Sequence, residues 1–105
     1  MALSDIKGMT KINDVELQEP EGVYIGDLLS CVMANIGEGS LWLTTQTNLN
    51  VIAIGHLHDL AGIIFVENMK PDAATVEKAD ENGIALYTYS GDAYTLAITL
   101  SQMGY

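Results

Sequence analysis

No arginine occurs in this chain of 105 residues, and apart from two histidines its basic residues are four lysines, Lys7, Lys11, Lys70 and Lys78. Set against 14 acidic residues, they leave a formal net charge of −10. Nucleic-acid binders draw much of their affinity from lysine and arginine neutralising phosphates, so this composition excludes DNA, RNA and anionic membrane surfaces as partners. The missing guanidinium also removes the bidentate fork of many phosphate sites, which leaves backbone N–H groups and helix N-termini to hold a nucleotide. Cysteine is nearly absent. Cys31 stands alone, no internal disulfide can form, and the fold must hold without a covalent staple, as expected in a reducing compartment. With Leu28, Leu29, Val32, Met33 and Ile36 around it and no base or cation nearby, Cys31 is expected in or beside the core rather than as a reactive thiol. Long apolar runs are missing too: the longest, Leu60–Val66, falls far short of the ~20 residues that cross a bilayer. Met1–Asp5 has neither the basic start nor the apolar centre of a secretory signal, so a cytoplasmic location is expected.

What is present is rhythm. Three short apolar runs, Leu41–Thr45, Ile63–Val66 and Ile84–Tyr89, are each followed by a helix-like stretch. That alternation predicts an α/β domain, a three-layer α/β/α sandwich with a mainly parallel sheet. The length suits one domain over residues 1–105, and no repeat or linker interrupts it. Ser4 is placed to cap a short turn through Lys7, and residues 9–22 read as a polar, loop-rich stretch ending in the turn signal Glu19-Pro20-Glu21-Gly22. Val23–Gly26 reads as a strand, with Asp27 as N-cap of a helix from Leu28 to Ile36 that Gly37 and Gly39 terminate. The helix Leu49–Leu57 is apolar nearly all round, so it is either deeply packed or meets a second subunit. Gly62–Val66 has no polar alternation, as a strand covered on both faces near the sheet centre would. Asp72 should cap a surface helix with Ala73, Val76 and Ala79 inward, stopped by Gly83. A last helix over Asp92–Met103 places residues 93, 96, 97, 100 and 103 on the sheet.

The segments Gly22–Ser30, Gly39–Thr47, Gly62–Val66 and Pro71–Gly104 together resemble a DRTGG domain, a fold similar to the N-terminal domain of HPr kinase/phosphorylase, over roughly residues 3 to 105. Related copies occur inside phosphotransacetylases and between the CBS modules of some pyrophosphatases. The resemblance implies a regulatory or architectural module whose catalysis lies in another domain. The eponymous residues are absent: the Asp-Arg pair falls near Gln46-Thr47, and the Thr-Gly-Gly near Val66-Glu67-Asn68. No GxxxxGK[ST] loop occurs, so kinase activity is not implied.

Right-handed crossovers put the loops after parallel strands on one sheet edge, where ligands of open α/β sheets usually bind. The candidate ligand-binding residues are Asp27, then Thr45, Gln46, Thr47 and Asn48, then Glu67 and Asn68, then Ser90 and Gly91, with Tyr89 beside them. His56, His58 and Asp59 invite a metal reading, but positions i and i+2 on a helix point about 200° apart, so solvent-facing histidines at a helix C-terminus are expected and no metal or other cofactor. Ser90 sits at a strand-to-helix turn without the first glycine of a G-x-S-x-G elbow, and a helix N-cap explains it. Glu77, Asp80 and Glu81 read as a solvated helix face, Trp42 and Tyr87 as core or interface anchors. The expected function is a non-catalytic regulatory or sensory module binding a small polar metabolite or nucleotide. The alternative is a self-associating interaction module, a homodimer in its simplest form.

Overall fold

A computed structural model describes residues 2–105. Its centre is a five-stranded sheet of β1 (Met9–Lys11), β2 (Gly22–Ile25), β3 (Ser40–Thr44), β4 (Gly62–Phe65) and β5 (Ala85–Tyr89), in the spatial order β1-β5-β4-β3-β2. Strands β2 to β5 are parallel, and β1 joins antiparallel to β5 with Met9 opposite Tyr89. The sheet is therefore mixed, with β4 at its centre. Four helices connect or follow the parallel strands: α1 (Leu29–Asn35), α2 (Leu49–Leu57), α3 (Ala73–Glu81) and α4 (Ala93–Gln102).

Strand period 2 divides the core into two layers. Trp42, Ile63, Phe65 and Leu86 face Val32, Ile36, Val51, Ile52, Ile54 and Ala79 of the α1–α3 layer. Leu41, Leu43, Ile64, Val66, Ala85, Tyr87 and Tyr89 face Leu96 and Leu100 of α4 and, from the chain start, Leu3, Ile6 and Met9. Strands β3, β4 and β5 are buried at every residue, which accounts for their continuous apolar reading. Burial of Trp42 requires a partner for its indole N–H, which donates to Gly26 O at 2.9 Å.

The stretch read as loop-rich contains β1 and a latch. Ile12 N–H donates to Leu86 O at 2.9 Å. Buried Asn13 then accepts from Leu86 N–H at 2.9 Å and donates to Ile84 O at 2.9 Å and Asp80 Oδ1 at 3.0 Å. From there the chain crosses to β2, and Leu17 lies over Gly62, where an added Cβ would come within 2.7 Å of Leu17 Cδ1. A three-residue strand carries too little pattern to be seen in sequence, because its pairing is supplied by β5.

Several local expectations are corrected. The first turn is a 3₁₀ turn over Leu3–Asp5 with Ser4 inside it, and Asp5 rather than Ser4 closes it by accepting from Ala2 N–H at 3.0 Å. Cys31 is exposed, because the seven-residue α1 turns Val32 inward and leaves Cys31 and Met33 outward. On α3 the inward residues are Thr75 and Ala79, with Val76 half-buried and Ala73 exposed. His56 is exposed, whereas His58 is half-buried with Nε2 shielded and unpartnered. No described helix is long and apolar enough to cross a membrane.

Candidate functional site

The four loops after β2, β3, β4 and β5 share the edge at the strand C-terminal ends, since these strands run parallel. Their residues meet in two pairs. In the first, Asp27 does not cap α1, whose N-cap is Leu28 without a side-chain hydrogen bond. It reaches across to the next loop, where its Oδ1 accepts from Thr45 N–H at 2.7 Å and Thr44 Oγ1 at 2.9 Å. Partial burial pushes the Asp27 pKa up, but the bonds from Thr45 N–H and the Thr44 hydroxyl outweigh it and hold the carboxyl below its ordinary 3.8. Gln46 accepts from Asn48 Nδ2 at 3.4 Å, and Asn48 caps α2 by accepting from Asn50 N–H at 3.0 Å.

In the second pair, Glu67 and Asn68 both adopt left-handed backbone, φ 58° each. That reversal turns the loop back on the β5–α4 connection, with Glu67 N–H donating to Gly91 O and Asn68 N–H to Tyr89 O, each at 2.8 Å. Ser90 is exposed and its N–H donates to Gly8 O at 3.0 Å. Ser90 is not the cap of α4. Asp92 takes that place, accepting from Thr95 N–H at 2.8 Å, and this bond lowers its pKa.

Three buried threonines hold these loops, a role the sequence did not disclose. Thr44 fastens Asp27, Thr75 donates to Thr47 O at 3.2 Å, and Thr88 donates to Met69 O at 2.8 Å. For Thr44 and Thr88 the available signal was a threonine at or near the end of an otherwise apolar strand, where a hydroxyl must find a partner as it becomes buried, whereas Thr75 lies within α3 and carried no such mark.

Successive parallel strands always step in the same direction, from β2 at one edge to β5, so the strand order never reverses among them. The crevice that such a reversal opens in doubly wound sheets is therefore missing at this edge. Among the described residues, one cleft of about 580 Å³ does adjoin it, lined by Ser90 and Gly91 with Tyr89, Lys7, Gly8 and Thr99. Sequence reasoning missed Lys7, Gly8 and Thr99 because β1 had not been placed beside β5. A second cleft, about 480 Å³, lies at the opposite edge among Glu19, Glu21, Glu38, His56 and Asp59. Among the described residues no three His, Cys, Asp or Glu side chains gather as a metal-ligand set.

A crystal structure of the CBS and DRTGG domains of the regulatory region of Clostridium perfringens pyrophosphatase, complexed with the activator diadenosine tetraphosphate, superposes with a TM-score of 0.57. The fold is DRTGG-like. The superposition covers 70% of this chain at 17% identity, a likeness of fold, and this chain spans 33% of that one. No family model matches the chain, and neither does any curated protein.

Proposed function

We propose that residues 1–105 form one non-catalytic regulatory domain that binds a small polar metabolite or nucleotide across the loop edge. The observation that carries this reading is the cleft beside Ser90 and Gly91, which gives the edge a depth and one lysine, Lys7. In support, the fold is shared with part of a regulatory region crystallised with a nucleotide activator. The resemblance to the N-terminal domain of HPr kinase/phosphorylase rests on the sequence segments alone. In this reading Thr45, Gln46, Thr47, Asn48, Glu67 and Asn68 extend the surface from the cleft, and Asp27 fixes the first of these loops. In this reading Ser90 serves as a contact to the ligand and not as a nucleophile.

Charge narrows the ligand. With Lys7 the cleft's one lysine, Asp5 beside it in the lining and a net charge of −10, a tetraphosphate meets repulsion that a nucleoside or monophosphate largely escapes. Thermal-shift titration with adenosine, its monophosphate, its triphosphate and diadenosine tetraphosphate tests the reading. A rise in melting temperature with the less charged ligands, reduced by Ser90→Ala and Lys7→Ala, is expected. If none of the four raises it at millimolar concentration, adenine nucleotides are excluded. A shift that survives both substitutions places the ligand elsewhere.

A further inference from the structure

We infer that the α1/α2 face binds a second copy of this chain. None of the four lysines or 14 acidic residues falls in α1 or α2, although the molecule carries a net charge of −10. Leu49, Ala53 and Leu57 are spaced i, i+4, i+8 along α2, and Leu29 and Met33 i, i+4 along α1, so each set lines one side of its helix. The two rows meet at a groove of about 350 Å³ lined by Leu29, Ser30, Met33, Asn50, Ala53 and Ile54. Met33 is 40% exposed, Leu49 49% and Leu57 66%.

Area and charge together select the occupant. These side chains present roughly 400 Å² of apolar surface, about half of the ~800 Å² that each partner of a standard interface buries, and uncharged Ser30, Asn50 and Asn35 can extend it as a polar rim. That is enough for a weak dimer. Two molecules each carrying ten excess negative charges repel over most of their surfaces, and they meet at least electrostatic cost through a face without charges. A two-fold axis would set α1 and α2 against their own copies as a four-helix layer, burying each apolar row in the facing groove. The α4 helix is also uncharged, but it offers a single helix whose exposed Tyr94 and Ile98 alternate with threonines, so it serves as the control surface. The dimer face begins where α1 and α2 leave the loop edge, with Leu49 next to Asn48, but its groove shares no residue with the Ser90 cleft, so the two readings are tested separately.

Sedimentation velocity over a concentration range from about 5 to about 500 μM tests the inference, with a monomer–dimer equilibrium expected at roughly 10–100 μM. Raising the salt concentration should tighten it by screening the repulsion. Ala53→Glu should weaken it at least about tenfold. The exposed substitutions Met33→Glu and Leu57→Glu should do the same without a core change, with folding followed by circular dichroism. Tyr94→Glu should leave it intact. A monomer throughout the range overturns the inference, as does a dimer that salt weakens or that Tyr94→Glu disrupts while the α1 and α2 variants do not.

Discussion

Replacing Asp59 with glycine should stabilise the protein, because three of its helices end in the same way and only one of them lacks glycine at the critical position. After α2, Leu60 N–H donates to Gly55 O at 3.0 Å and Asp59 N–H to His56 O at 3.3 Å. The ends of α3 and α4 repeat this pair of bonds, through Ile84 to Ala79 and Gly83 to Asp80, and through Tyr105 to Leu100 and Gly104 to Ser101. Such an end needs one left-handed residue. Gly83 at φ 67° and Gly104 at φ 97° supply it freely, whereas Asp59 adopts φ 53° with a Cβ in the way. The left-handed conformation costs an L-residue about 1–2 kcal/mol, less for aspartate, and glycine's greater freedom when unfolded offsets part of the gain, leaving about 0.5–1 kcal/mol. A carboxylate at a helix C-terminus adds a cost of its own, and Asp59 shares a cleft with Glu19, Glu21 and Glu38. Asp59→Asn separates the two effects, since asparagine keeps the left-handed tolerance and drops the charge. Urea denaturation should show Asp59→Gly the most stable, Asp59→Asn between it and the parent at low salt, and Asp59→Asn level with the parent at about 1 M salt. The melting temperature of Asp59→Gly should rise by roughly 2–6 °C. The reasoning is refuted if Asp59→Gly is less stable than the parent, or if Gly83→Ala leaves stability unchanged.

Asn13→Ala should cost about 2–4 kcal/mol by equilibrium denaturation, since it orphans Leu86 N–H and Ile84 O in a buried setting. Gly62→Ala should cost about 1–3 kcal/mol through contact with Leu17 Cδ1 and with Ala85 O at 3.2 Å, and Leu17→Ala in the same chain should recover part of it. Asp72 and Asp92 have lowered pKa values because each accepts from a helix N–H, Thr75 and Thr95 respectively. A depressed folded-state pKa gives stability that is present above the unfolded value near 3.8 and lost as pH falls through the folded value. Melting temperatures of Asp72→Asn and Asp92→Asn should therefore match the parent near neutral pH, since asparagine also caps, and exceed it below about pH 4.

The βα rhythm was legible from the tryptophan onward because β3, β4 and β5 are short, apolar and covered on both faces, and because α3 carries a capping aspartate, Asp72, at its start. The central place of β4 followed from Gly62–Val66 having no polar residue. What escaped were features whose partners lie far along the chain. Met9–Lys11 is a strand only because Tyr87–Tyr89 lies beside it. Asp27 sits one residue before the N-cap Leu28, a position that looks like a cap in sequence, yet the Thr44 hydroxyl and Thr45 N–H compete for its carboxylate and win. Ser90 lost the capping role to Asp92 for a simpler reason, that the helix begins two residues later than the turn. The candidate loops were legible as a set through crossover handedness. The cleft at Ser90 was not, because one wall comes from the first turn of the chain.

The pairing of β1 with β5 also sets an order of assembly. Lys11 and Tyr87, which meet through the Lys11 ammonium, are separated by 76 positions, and Leu3, Ile6 and Met9 share their half of the core with Leu96 and Leu100. During synthesis β2, β3 and β4 with their helices emerge before β5, so the leading segment waits without a template while the middle of the sheet condenses. Removing α4 would thus unmoor residues 2–9 as well, and these two segments, distant in sequence, would be lost as one cooperative unit.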